Sequence, residues 1–288
     1  MGFPDSPFRT QEEIDLQFDL QNHNWDGAPY IDNFLAQSDW VRRSNHCIED
    51  IAVGAREEEC IDVFPASADE APIVVFVHGG WWRIGTRKWF AFCVQGLIER
   101  GYAVVLSDYT LCPDVGIPDI TNATRLVVKW AFENHGRING DPSKIFVAGH
   151  SAGGQQAAMM AITDWSRYSL PGNIISGAIP MSGLFDLRPF KKSWLQPKLQ
   201  LTGDTVLSES PLFQIPERAP PMFVTLGDDE SVEFHRQSEV FYEAWKAKGN
   251  EAEYYAAPGL DHNTSVLSLI DPESPFCTEV HRFIQSHC

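Results

Sequence analysis

Ser151 lies two residues after one glycine and two before another, in the run Gly149-His150-Ser151-Ala152-Gly153. A serine hydroxyl is a weak nucleophile until a neighbouring base takes its proton, and this spacing fits a serine held on a tight turn for acyl transfer. Where a strand turns sharply into a helix, side chains two before and two after the serine would collide, and glycine removes the clash. The following helix offers its N-terminus to negative charge forming beside the serine. Attack on a carbonyl also needs backbone N–H groups aimed at an oxyanion. The run His78-Gly79-Gly80-Trp81-Trp82 can bend inward to supply them. Gly79, Gly80 and Trp81 are the expected donors on that side, and Ala152 the donor on the other.

The serine needs a histidine, and the histidine an acid, in the chain order serine, acid, histidine. Of the nine histidines, His235, His262, His281 and His287 lie beyond a plausible acid. His235 falls in a helical pattern, and His281 and His287 in a terminal helix. His262, in Gly259-Leu260-Asp261-His262-Asn263, is expected in a loop after the last strand, where a general base can reach the serine. The acid should end the strand Met222 to Leu226, within Gly227-Asp228-Asp229-Glu230-Ser231. Position alone does not separate Asp228, Asp229 and Glu230. The chosen group would hold the imidazole in one tautomer and stabilise its charged form.

The elements needed to bring these residues together are legible as alternating patterns. Ile48 to Val53 and Cys60 to Phe64 read as an early antiparallel pair. Ile73 to Val77 is a continuous apolar run, as in a strand covered on both faces. Ala103 to Ser107, Lys144 to Ala148, Ile175 to Met181, Met222 to Leu226 and Glu253 to Ala256 continue the series. Ala123, Leu126, Val127, Trp130 and Ala131 mark a helical stripe, and so do Phe234, Phe241, Ala244 and Trp245, stopped by Gly249. Alternation of this kind predicts an α/β fold, a mostly parallel sheet of about eight strands flanked by helices. Residues 1–45 read as an arm with Trp25, Tyr30, Phe34 and Trp40, helical at least from Tyr30 to Arg43. Residues 184–220 carry five prolines, Pro189, Pro197, Pro211, Pro216 and Pro220, and Pro221 follows directly. They read as a short irregular cap segment over one end of the sheet, placed to cover a site.

The formal net charge of −17 repels phosphate backbones and anionic surfaces, so neither nucleic acid nor a membrane is an expected partner. A small-molecule substrate is expected, and the oligomeric state stays open, a homodimer included. The six cysteines show no CxxC spacing and are expected to be reduced, with no zinc site. Met1 to Leu20 has no apolar stretch of signal-peptide type, and no run of about 18 apolar residues occurs, which makes the cytosol the expected compartment.

Together these motifs resemble those of the kynurenine formamidase (arylformamidase) group of α/β-hydrolases, near the carboxylesterase and hormone-sensitive-lipase-like families. The resemblance rests on His78-Gly79-Gly80-Trp81-Trp82, Gly149 to Gly153, Asp229-Glu230-Ser231 with Arg236-Gln237-Ser238, Asp108-Tyr109 with Leu111-Cys112-Pro113, and Ser182 to Leu187. It extends over about residues 45 to 285. The family usually carries Tyr where Trp81 stands and Phe where Asn263 stands. The resemblance implies one α/β-hydrolase domain over 1–288 and an aryl formamide substrate such as N-formylkynurenine. It also implies a Ser151, Asp229 and His262 triad with no metal or organic cofactor. Trp81 and Trp82 are the expected contacts to a planar substrate, and Trp89, Phe90 and Phe92 are expected in the core. Rival readings are an esterase or amidase for other small aryl or alkyl substrates, and an inactive ligand receptor on the same scaffold.

Overall fold

The computed structural model describes residues 3–19 and 27–288; Trp25 lies outside them. Helices α1 (Gln11–Phe18) and α2 (Gly27–Ser44) precede the sheet. Then come β1 (Ile48–Ala52), β2 (Cys60–Phe64), β3 (Ala71–Val77), the short helices α3 (Arg87–Phe90) and α4 (Gln95–Glu99), and β4 (Ala103–Ser107). Helix α5 (Ile117–Glu133), β5 (Gly140–His150), α6 (Ala152–Ala161) and β6 (Ile175–Met181) follow. The chain continues through α7 (Gln196–Leu199), α8 (Gly203–Glu209), β7 (Met222–Gly227), α9 (Val232–Ala247) and β8 (Ala252–Ala257). It ends with α10 (His262–Leu267) and α11 (Pro275–Ser286).

The eight strands form one sheet in the order β1-β2-β4-β3-β5-β6-β7-β8. The pairs β1–β2 and β2–β4 are antiparallel, and every later pair is parallel. Strand periodicity sorts the core onto two faces. Ile73, Val75, Val77, Val105 and Val147 pack on one side with Ile120, Val127 and Val128 of α5 and Met160 of α6. Val74, Phe76, Val104, Leu106, Phe146 and Ala148 pack on the other with Phe34 and Val41 of α2 and Val280, Phe283 and Ile284 of α11. Both faces are covered, which is why these strands read as unbroken apolar runs. Each Val, Leu, Ile, Phe or Met among them, fully buried, contributes on the order of 1.5–3 kcal/mol.

The order β3-β5-β6-β7-β8 fixes the site. In an open parallel sheet, ligands bind beyond the carboxyl ends of the strands. Those ends here deliver, side by side, the His78 turn after β3, Ser151 after β5, Ser182 after β6, Glu230 after β7 and His262 after β8.

Residues 184–220 fold as short turns, with 3-10 helices at Pro189–Lys192 and Pro211–Phe213 beside α7 and α8. They pack behind the His78 turn, with Phe190 6.1 Å from Trp81 and 5.9 Å from Trp82 between ring centroids. The cysteines are all unbridged. Among the described residues no helix is long and apolar enough to cross a membrane.

Candidate active site

Ser151 sits in a backbone conformation that side-chain-bearing residues rarely take, φ 57° and ψ −119°, between the end of β5 and the start of α6. Its N–H donates to Met181 O at 2.8 Å, which ties the bend to β6. The flanking glycines have no alternative. A Cβ on Gly149 would stand 2.2 Å from Gly153 O, and one on Gly153 would stand 2.0 Å from Val77 O. These obstacles are backbone, so neither can yield. Gly153→Ala is therefore expected to destabilise the fold by about 3 kcal/mol or more, read as a lowered midpoint in urea with unchanged slope. A wild-type midpoint would show that the turn is looser than this.

The turn after β3 is strained too. Trp81 and Trp82 have φ 55° and 57°, and Gly80 φ 116°. Among the described residues, the amides of Gly79, Gly80, Trp81 and Ala152 donate to no backbone carbonyl, leaving them free for an anionic oxygen. The turn is anchored from below by His78. Its ring stacks on Tyr109 at 4.3 Å, with Nε2 3.1 Å from Asp108 Oδ1 and Nδ1 2.7 Å from Gly79 O. Asp108 in turn accepts from Arg87 Nη1 at 2.9 Å, and Arg87 Nε donates to the buried Asp62 at 2.9 Å. A buried ion network of this kind holds geometry more than it adds stability.

His262 begins helix α10 rather than lying in an open loop, because Asp261 caps that helix by accepting from the N–H groups of Asn263 and Thr264. The imidazole is 2% exposed and is packed by Phe234, His150 and Trp81, at centroid distances of 4.6, 4.4 and 6.5 Å. Its Nδ1 donates to Glu230 Oε2 at 2.8 Å, which leaves Nε2 as the proton acceptor.

The carboxylate that pairs with His262 is thus Glu230 rather than the expected Asp229. Asp228 and Asp229 are exposed, their amides fastened to Ala257 O and Leu260 O at 2.9 and 3.0 Å. Glu230 turns inward, and its second oxygen accepts from Gly227 N–H at 2.8 Å and from the Ser182 hydroxyl. Three donors therefore fix this carboxylate. The neighbouring "RQS" residues act structurally. Arg236 pairs with Glu233 and Asp186, and Gln237 accepts from the amides of Phe185 and Asp186.

Ser151, His150 and His262 line one cleft of about 110 Å³ together with Gly80, Trp81, Ile84, Trp89, Phe90 and Asn263. Its remaining wall is Gly85 together with Tyr30, Ile31 and Phe34 of α2. The cover therefore comes from the N-terminal arm, while 184–220 supports the oxyanion turn from behind. Helix α2 is fastened to the body by Ser38 Oγ donating to Trp89 O at 2.7 Å, and by Arg42 Nη1 donating to Lys88 O at 2.8 Å. Trp81 faces this cleft as expected. Trp82 differs from the expectation: it is completely buried, its indole N–H donates to Gln155 Oε1 at 3.1 Å, and it stiffens the turn from outside the cleft lining. Trp89 and Phe90 line the cleft, whereas Phe92 is core.

His150 was not singled out by the sequence pattern. Its Nε2 donates to His262 O at 2.8 Å, while its Nδ1 is buried without a partner. Burial, and then the neighbouring His262, push its pKa well below the usual value. It is neutral in the fold, whereas the unfolded chain takes a proton near pH 6.5. Stability from this group is complete above that pH and is lost as pH falls below it. Wild-type melting temperature is expected to drop more steeply than that of His150→Gln between about pH 6.5 and 5. Parallel curves would refute the assignment.

A hydroxyl on a strained bend at the carboxyl edge of a parallel sheet, beside a buried imidazole–carboxylate pair, defines a serine-type α/β-hydrolase. Residues 61–245 match the BD-FAE family, and the chain belongs to it. It is 27% identical to the kynurenine formamidase of Danio rerio over 277 residues, 91% of this chain and 92% of that one. It is also 27% identical to the carboxylesterase NlhH of Mycobacterium tuberculosis, over 74% of this chain and 73% of that one. The crystal structure of a provisionally assigned thioesterase from a Silicibacter species superposes with a TM-score of 0.81. That pair is 27% identical, covering 92% of this chain and 98% of the other.

Proposed function

We propose that the protein hydrolyses small aryl formamides such as N-formylkynurenine through Ser151, His262 and Glu230. The observation that carries this reading is the buried His262–Glu230 pair, whose imidazole lines the same cleft as the strained Ser151. In the first step His262 Nε2 takes the Ser151 proton, and Ser151 Oγ bonds to the formyl carbon. The link between these two side chains tightens as substrate settles, since the hydroxyl makes no hydrogen bond in the free enzyme among the described residues. The N–H groups of Ala152 and of the Gly79–Trp81 turn hold the oxyanion, each worth about 3 kcal/mol. The C–N bond then breaks, the aryl amine leaves with the proton from His262, and water attacks the formyl-serine to release formate. Glu230 keeps Nδ1 protonated throughout and stabilises the imidazolium. The chemistry asks for no cofactor, and we place it in the cytosol.

The likeness to NlhH favours a second reading, a carboxylesterase for short aryl esters. Measuring kcat/KM for N-formylkynurenine against 4-nitrophenyl acetate separates the two. Formate release at a rate comparable to ester cleavage supports the formamidase. Rapid ester turnover with no formate overturns it.

A further inference from the structure

One polar side chain on the cleft wall is not used by this reaction. Asn263 is 9% exposed, and its Nδ2 is shielded from solvent without a hydrogen-bond partner among the described residues. Its own main-chain N–H is already committed, donating to Asp261 Oδ1 at 2.8 Å. Buried amides are ordinarily paired, because an unpaired one forfeits its hydration. This one lines the same cleft as Ser151 and His262. The walls around it are apolar, built from Phe34, Trp81, Ile84, Trp89 and Phe90. No Lys or Arg lines the cleft, and residues 1–2 and 20–26, outside the described set, contain none. A carboxylate brought here would lose its hydration without gaining a cation, inside a molecule of net charge −17.

We propose that Asn263 sets the substrate class: a ring seated on these aromatic walls whose uncharged carbonyl oxygen accepts from Asn263 Nδ2 once the amide turns toward the cleft, with rings bearing a carboxylate refused. The inference rests on the hydrolytic reading of Ser151 and deepens it. The ketone beside the formamide of N-formylkynurenine is a group of the required kind, and its charged end lies farther along the side chain.

The test compares formate release from 2′-formamidoacetophenone, formanilide and 2-formamidobenzoate, by wild type, Asn263→Leu and Asn263→Asp. Ratios between enzymes cancel the intrinsic reactivity of each compound. Wild type is expected to favour the ketone over formanilide by about tenfold, the share of one hydrogen bond, with the benzoate poorest. Asn263→Leu brings that preference to about unity, and so does the near-isosteric Asn263→Asp, which presents an acceptor where a donor is needed. A preference that survives in either folded variant, or a benzoate turned over fastest, overturns the proposal. If wild type releases no formate from any of the three, the formamidase reading fails. The same ratio is then taken with 2-acetylphenyl acetate and phenyl acetate, where an Asn263-dependent preference still supports the assignment and its absence overturns it.

Discussion

Glu230→Gln is expected to lower kcat by roughly 10³- to 10⁴-fold with KM little changed, by analogy with the loss of the buried acid in other serine triads. The argument is geometric. His262 Nδ1 has Glu230 as its partner at 2.8 Å, and that carboxylate is held on its other side by Gly227 N–H and the Ser182 hydroxyl. Glutamine keeps the shape but removes the charge, and its amide can present an N–H to Nδ1, favouring the wrong imidazole tautomer. The effect belongs to kcat because the imidazolium exists only after the proton has moved. Asp229→Asn is the matched control: an exposed side chain with no contact to His262 should change kcat by less than about twofold. A large loss in Asp229→Asn together with a mild one in Glu230→Gln would reverse the assignment.

Ser151→Ala is expected to remove about 10⁶-fold of kcat, the scale on which a triad nucleophile acts, and to abolish labelling by a fluorophosphonate probe. The variant should nonetheless melt at or above the wild-type temperature. Among the described residues the hydroxyl has no partner to lose, and functional groups held in strained positions commonly cost stability. Ala adopts φ 57° no worse than Ser does. Wild-type protein that resists the probe while folded would instead indicate an inactive receptor on this scaffold.

The sheet was largely legible because its central strands are covered on both faces, so that Ile73 to Val77 and Ala103 to Ser107 appear as apolar runs without helical periodicity. Ser151 and the glycine turn were legible for a different reason, since steric demands at a tight bend restrict residue type, and His262 was legible from chain order and its place after the last strand. The acid was not, since three consecutive carboxylates share one turn. Their facing is decided by amides of Asp228 and Asp229 that bond to the β8–α10 segment, far off in sequence. The same limit applies to Trp82. Adjacent aromatic residues in left-handed backbone point to different sides, one to the cleft and one to Gln155. Helix α2 was anticipated as a helix, but its place on the cleft depends on long-range packing, such as Phe34 on Phe92 at 4.4 Å.

That helix has a consequence for how such enzymes diversify. The span shared with the BD-FAE family begins at residue 61 and carries the serine and its carboxylate, whereas Tyr30, Ile31 and Phe34 precede it. Part of the wall that meets the guest is thereby supplied from a stretch of chain separate from the one bearing Ser151 and Glu230, while Trp81, Trp89, Phe90 and Asn263 supply the rest. Relatives with superposable reaction centres can evolve different tastes by exchanging a leading helix. Grafting that helix between two of them should carry across the part of selectivity set by that wall while leaving Asn263 and the chemistry behind.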